Sequence, residues 1–385
     1  MKNQLKIAFA GGGTGGHIYP GLAVADEIRA IAKEKNVEVK ICWIGNKKGM
    51  DKNLVEKSGS TDIFFGIPCG KLRRYFSFQN VIDIFKIIAG CISAYLFLSK
   101  FKPDVLFSKG GFVSVPPCFA AKLLKIPVFT HECDFTPGLA TRINSRFASK
   151  ILLSYDATKN YFKGKYENLV TVTGNPVRPV FYSAEAKQGL MYLGIEDKKK
   201  PVLIVVGGSL GARQINELVM KNMQWLCEHF VVVHQTGAAF AEEYSGVLSM
   251  TNENYKPYSF IYAEMPSVLA AADVVLSRAG ANSLWECAVL GKPMILVPLC
   301  GSGTRGDQVD NAAFFAEKGA AIVLSGADAD EAHLKSALEK MLDSEMRQKF
   351  AESAKKISSG ERPAHKIAEI LLSGCEKKNA KISDN

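Results

Sequence analysis

The sequence predicts an α/β protein of two Rossmann-like parallel-sheet domains facing across a cleft. Three observations lead there. Short apolar runs alternate with longer amphipathic segments through the first 154 residues. A strand–glycine turn–helix device opens the chain and recurs about 195 residues later. A chain of 385 residues is long enough to bury two full cores. Strand–helix alternation with right-handed crossovers gives a parallel sheet covered on both faces, with ligands beyond the carboxyl ends of its strands.

In the first half, the expected strands are 5–10, 38–44, 61–66, 104–108, 127–131 and 150–154, with helices near 17–35, 50–58, 80–100, 114–125 and 137–147. The first turn is Gly11-Gly12-Gly13-Thr14-Gly15-Gly16-His17. Such a turn aims backbone N–H groups and a helix N-terminus at an anion. Its spacing is not G-x-G-x-x-G, and no acidic residue clearly follows a second strand, which disfavours a nicotinamide site. His17 reads equally as a general base or as a polar residue that caps the turn or touches a phosphate. Two more polar or glycine-rich loops, 108–112 and 131–134, are expected at the same sheet edge.

Lys71-Leu72-Arg73-Arg74-Tyr75-Phe76 precedes a segment, 81–98, that is apolar nearly all round after Lys86. The apolar run 87–98 is too short to span a bilayer, and Asp83 and Lys86 interrupt any extension. The block suits a protein lying on a membrane or gripping a lipid diphosphate; the alternative is a buried crossover helix beside a solvated basic loop. The charge fits either a membrane surface or nucleic acid as anionic partner. Residues 1–173 carry 25 Lys+Arg against 13 Asp+Glu, and residues 174–385 carry 23 against 25.

Thr173-Gly174-Asn175-Pro176-Val177-Arg178-Pro179 reads as a hinge, where Arg178 could clamp a phosphate or bridge domains. The boundaries expected are a first domain at 1–174, a second at 175–360, a helix at 361–374 that could pack back on the first domain, and a disordered tail at 375–385. In the second half, strand 201–206, the turn Gly207-Gly208-Ser209-Leu210-Gly211-Ala212-Arg213 and helix 214–229 repeat the opening device. Further strands are expected near 230–235, 258–262, 273–277, 293–297 and 320–324, and helices near 330–342 and 345–358. Arg278-Ala279-Gly280-Ala281-Asn282-Ser283 is another anion-type turn, leading to Glu286, which could hold a ribose diol or simply interact with the helix dipole. Gln308 and Asn311 share a face and suit sugar hydroxyls, whereas capping is the plain reading of Asp307.

Nine scattered cysteines without C-x-x-C argue for reduced thiols and against a disulfide or zinc framework. Asp328-Ala329-Asp330 is the one D-x-D spacing and reads as a helix cap, so no metal or cofactor is expected. Lys2 and Lys6 lack the long apolar run of a secretory signal.

The glycine turns, together with His131-Glu132, Pro137-Gly138-Leu139, Arg278-Ala279-Gly280-Ala281 with Glu286, and Asp307-Gln308 with Asn311-Ala312, resemble the MurG family of UDP-N-acetylglucosamine:undecaprenyl-diphospho-muramoyl-peptide N-acetylglucosaminyltransferases. The resemblance spans roughly residues 5–325. It implies GT-B architecture and metal-independent, inverting transfer of GlcNAc from UDP-GlcNAc to the muramoyl C4 hydroxyl of lipid I, giving lipid II at the cytoplasmic face of the membrane. Nucleic acid is then not a partner. By position, Ile261 lies in the strand that reads uracil, Glu286 holds the ribose, Ser209 and the 278–282 turn with Ala281 meet the diphosphate, and Gln308 meets GlcNAc, with Asn311 beside it. Thr14, Gly15 and Gly16 close over the donor, with Arg178 at the hinge, while Lys71, Arg73, Arg74, Tyr75 and Phe76 face acceptor or membrane. His17 is the base or a transition-state contact. Asp134 stands where most members have Asn and could itself be the base. The alternatives are a UDP-GlcNAc 2-epimerase, another GT-B lipid glycosyltransferase, a nucleotide-sugar-binding regulator and, with the poorest fit, a dinucleotide oxidoreductase.

Overall fold

The computed structural model describes residues 4–70, 78–208, 211–244, 252–301, 304–358 and 360–383. Two compact units emerge, one of residues 1–178 with 362–385 and one of residues 179–361.

The first unit is a seven-stranded, wholly parallel sheet. Its strands are β1 (Gln4–Gly11), β2 (Glu38–Asn46), β3 (Ile63–Ile67), β4 (Val105–Gly110), β5 (Val128–Glu132), β6 (Lys150–Leu153) and β7 (Val170–Val172). They lie in the order β3-β2-β1-β4-β5-β6-β7. The three-residue β7 is absent from the expected strands, because so short a run shows no alternation. One face packs on the helix Gly15–Glu34. Gly21 is required there, since a Cβ would stand 2.6 Å from the Trp43 ring, which itself stacks on Phe9.

The same core takes in the end of the chain. Ala364, Ile367, Ala368, Leu371, Leu372 and Cys375 form one stripe of the helix Pro363–Ser383, at i, i+3, i+4, i+7 spacing. The expected disordered tail from 375 is therefore corrected. The stripe reaches Cys375, which is buried, and the helix runs on to Ser383.

The second unit is a six-stranded parallel sheet. It comprises β8 (Val202–Val206), β9 (Val231–Gln235), β10 (Tyr255–Tyr258), β11 (Val274–Ser277), β12 (Met294–Leu296) and β13 (Ala321–Val323). Their order is β10-β9-β8-β11-β12-β13. The helix expected at 214–229 is two helices, Arg213–Lys221 and Met223–His229. β10 ends at Tyr258, so Ile261 lies in the loop beyond it and not in a strand.

Candidate active site

Parallel strands bring all their following loops to one edge, and a crevice opens where strand order reverses, between β1 and β4 in the first unit. The β1 turn is held by Asp51, at the start of the helix Asp51–Ser58. Gly13, at φ +85°, donates its N–H to both Asp51 carboxylate oxygens at 3.0 and 3.1 Å. Asn46 N–H donates to Asp51 Oδ2 at 2.8 Å. A Cβ on Gly12 would come 1.8 Å from Asp51 Oδ2, so only glycine fits. Burial raises the Asp51 carboxyl above the usual carboxylate range, against the pull of these N–H groups. Sequence reasoning missed Asp51, because an acid in a first helical turn looks like dipole chemistry.

The turn delivers His17 into the crevice. Its N–H donates to Thr14 O at 3.1 Å, and its half-buried ring lies on Gly110 and Gly111 of the β4 loop. Both glycines have positive φ, and a Cβ on Gly111 would approach His17 Cδ2 to 2.9 Å. Thr14 and Gly16 are exposed and Gly15 is half-buried, at the start of a 20-residue helix whose first N–H groups have no intrahelical acceptor. Arg178 places its guanidinium carbon 5.3 Å from the Tyr19 ring centroid on that helix.

Glu132 shapes the β5 loop. Its carboxylate accepts from the N–H groups of Cys133, Asp134 and Gly138 at 3.0, 3.1 and 2.9 Å, which leaves Asp134 half-buried in the loop it forms. Glu132, Cys133 and Asp134 bring ligand atoms within 4.8 Å of one another, but both Glu132 oxygens are already engaged by backbone. His131 is buried and donates Nε2–H to Gly174 O at 3.1 Å. Burial first, and the Lys109 charge second, hold its pKa well below the ordinary imidazole value. Lys109 is itself 1% exposed, and its Nζ meets no hydrogen-bond partner among the described residues. The expected site named its loop without singling out this ammonium.

In the second unit, order reverses between β8 and β11. Ser209 lies outside the described residues, as do Lys71, Arg73, Arg74, Tyr75 and Phe76 of the first unit. Gly211, at φ +78°, leaves room for Thr236 O, which a Cβ would meet at 2.2 Å. Buried Gln235, which sequence reasoning also missed, ties two loops. Its Nε2 donates to Gly208 O at 3.3 Å, and its Oε1 accepts from Ile261 N–H at 2.9 Å. The Ile261 N–H is thus already engaged by the Gln235 side chain.

Arg278, its pKa lowered by burial, donates to Gln214 Oε1 at 2.9 Å and to Val297 O at 3.0 Å, bracing the turn beneath. Gly280 caps the helix Ala281–Leu290, where Ala281 is the first residue and Glu286 is half-buried one turn in. Gln308 Oε1 accepts from Leu299 N–H at 2.9 Å, which fixes the amide against the loop after β12. Asn311 is wholly buried and donates Nδ2–H to Ala279 O at 3.3 Å, which braces the turn before the helix Ala281–Leu290.

Residues 7–153 match the glycosyltransferase family 28 N-terminal domain and residues 202–369 the glycosyltransferase family 28 C-terminal domain. A UDP-N-acetylglucosamine--N-acetylmuramyl-(pentapeptide) pyrophosphoryl-undecaprenol N-acetylglucosamine transferase of Treponema denticola is 50% identical, covering 97% of this chain and 98% of its own. The crystal structure of Acinetobacter baumannii MurG is similar at TM-score 0.70 and 23% identity, over 96% of this chain and 99% of that one. A UDP-GlcNAc 2-epimerase of Neisseria meningitidis bound to UDP-GlcNAc is similar at TM-score 0.66 and 17% identity, over 96% and 100%. The two structural likenesses show the fold, which is the GT-B architecture.

Proposed function

Because the chain belongs to glycosyltransferase family 28, and within it to the MurG family, we propose that it transfers GlcNAc from UDP-GlcNAc to the muramoyl C4 hydroxyl of an undecaprenyl-diphospho-muramoyl-peptide. The observation that carries this reading is the 50% identity, over 97% of the chain, to a transferase of that printed name. The fold alone fits the epimerase as well.

The second unit supplies the donor site. The N–H groups opening the helix Ala281–Leu290 and the Gly207–Gly211 turn take the diphosphate. Glu286 accepts from the ribose diol, the Ile261 carbonyl accepts from the uracil, and Gln308 donates to GlcNAc. The first unit supplies acceptor and base. His17 takes the proton of the C4 hydroxyl as that oxygen bonds to the anomeric carbon, and the bond to UDP breaks with its electron pair on the phosphate. General-base help of this kind contributes about 10²–10⁴-fold. Developing phosphate charge is met by fixed N–H groups and helix ends. Asp134 is the second candidate base. Thr14, Gly15, Gly16 and Arg178 line the donor side of this machinery, and the buried Lys109 ammonium answers acceptor negative charge.

The protein works from the cytoplasmic membrane surface in this reading. Support comes from the helix Phe78–Phe101. Its Asp83 and Lys86 pair with each other at 2.9 Å and do not end the apolar run, which extends over Ile82–Phe101. That stretch is long and apolar enough to span a bilayer, yet Ala94, Leu98 and Phe101 bury one face in the unit's core. Gly90 presses the helix to the Pro68 carbonyl, where a Cβ would stand at 2.5 Å. The opposite face exposes Phe85 (68%), Ile92 (57%) and Leu96 (62%), a stripe suited to lying in a membrane surface.

The test is UDP release from UDP-GlcNAc in EDTA, with and without a short-chain lipid I analogue proven competent with a known transferase. Acceptor-dependent release is expected. Acceptor-independent formation of ManNAc would replace this reading with the epimerase.

A further inference from the structure

A groove of about 630 Å³ opens in the first unit at the amino-terminal edge of the sheet, away from the glycine turns. Its floor is a run of stacked rings. Phe65 and Phe97 have centroids 4.1 Å apart, and Phe97 and Phe101 5.7 Å apart. Its rim is basic, with Lys6, Lys40 and Lys100. Lys6 and Lys40 are direct register partners on β1 and β2, so two like charges stand side by side, an arrangement that costs stability unless an anion joins them. Lys6 Nζ also sits 5.8 Å from the Phe101 centroid.

None of the three ammonium groups has an ion pair among the described residues. The nearby carboxylates have other partners, and Glu38, two residues from Lys40 on β2, accepts from Gln4 Nε2. Asp62 pairs with Arg29 at 2.9 Å and accepts from Ile41 N–H, and Asp104 accepts from the Lys6 backbone N–H at 2.8 Å. An apolar slot with an uncompensated cationic rim fits a molecule with one apolar and one anionic end, and its volume lies in the ~300–1,000 Å³ range of small-ligand sites. The groove is continuous with the exposed stripe, because Leu96 belongs to both.

We propose that this groove takes one acyl chain of an anionic membrane phospholipid, with the headgroup phosphate held by Lys6, Lys40 and Lys100. The chain lies along Phe65, Phe97 and Phe101, and the phosphate relieves the Lys6–Lys40 repulsion. The proposal rests on the membrane-surface reading above and sharpens it, because it gives the protein a preference for anionic lipid at a defined place.

The test is photo-crosslinking of the full chain with phospholipids carrying a diazirine at the end of one acyl chain, mapped by mass spectrometry. Phosphatidylglycerol and phosphatidylcholine probes are compared in vesicles and as short-chain lipids below their micelle concentration. The phosphatidylglycerol probe is expected to label Phe97 or Phe101 in both settings, at least fivefold above phosphatidylcholine. The triple variant Lys6→Gln/Lys40→Gln/Lys100→Gln should lose that labelling while keeping label on the Phe85–Leu96 stripe, vesicle sedimentation and turnover of a soluble acceptor. Ser93→Trp, which fills the groove, should lose it as well. Equal labelling by both probes, or labelling unchanged in the triple variant, overturns the proposal in favour of non-specific immersion. Stripe labelling without groove labelling overturns it and leaves the membrane reading standing. No vesicle binding by the unmodified chain refutes the membrane reading, and absent short-chain labelling then overturns the groove on its own.

Discussion

His131 and His234 are buried histidines in the two sheets, and their surroundings differ. In the second unit, His234 lies between the Tyr255 hydroxyl at 3.0 Å and Asn216 Oδ1 at 3.1 Å, and Asn216 passes its Nδ2–H to Thr236 O at 2.7 Å. The chain of partners is closed. In the first unit, His131 Nδ1, Lys109 Nζ, Thr130 Oγ1 and Asn144 Oδ1 are all buried without a hydrogen-bond partner among the described residues. Burying such groups unpaired costs about 1–3 kcal/mol each. The two units share one strand–turn–helix plan, but the His234 cluster is paired by protein groups, whereas the His131–Lys109 cluster keeps polar atoms that no protein group meets among the described residues. We propose that the second unit holds the donor and that the Lys109 ammonium of the first answers the acceptor's negative charge.

Four sets of substitutions separate the roles of the two units. The largest effect is expected at the base. His17→Ala should lower kcat by about 10²–10⁴-fold with UDP affinity unchanged. If Asp134→Ala gives that loss and His17→Ala does not, the base is Asp134. Next is the open network. Lys109→Met removes an unpaired buried charge, so thermal unfolding should move to higher temperature while acceptor KM rises at least tenfold. A KM that stays put would make Lys109 a purely structural oddity. Third, Gln235→Ala unties Gly208 from Ile261 and should weaken UDP about tenfold by calorimetry with little change in kcat.

The smallest effect is in pH. His234 is pushed down to about 3 by burial, from an ordinary value near 6.5. The folded state therefore resists protonation that the unfolded chain accepts. The stability it contributes is full above about pH 6.5 and is lost as pH falls towards about 3, at up to roughly 1.4 kcal/mol per pH unit. His131 acts in the same direction. His234→Gln should flatten unfolding temperature against pH between 6.5 and 4.5; an unchanged slope would mean that other groups set it.

Much of this was legible in the sequence, and the exceptions share a cause. Eleven of the strands announce themselves as apolar runs before glycine or polar turns, because a strand buried on both faces has no polar side to disguise it. β7 escapes by its length and β10 is expected three residues late, since the run Tyr258-Ser259-Phe260-Ile261-Tyr262 alternates like a strand while the ladder to β9 has already ended at Tyr258. The extent of the last helix depends on partners hundreds of residues away, such as Phe129 beneath Gly374. At the candidate site, the contiguous motifs place His17 in the first turn of the helix after β1 and Glu286 on the helix after β11, and the structure has both there. Asp51 and Gln235 were not readable, because each acts on a turn belonging to a different strand. Asn311, at the spacing expected for a sugar contact, donates to Ala279 O, a partner 32 residues away that no local pattern reveals.

We propose that donor binding belongs to the second unit and proton removal to the first. Calorimetric titration of UDP into His17→Ala and Glu286→Gln separates the two roles. Unmodified affinity is expected in His17→Ala and at least tenfold weaker binding in Glu286→Gln. Equal loss in both, or loss in His17→Ala alone, would contradict it.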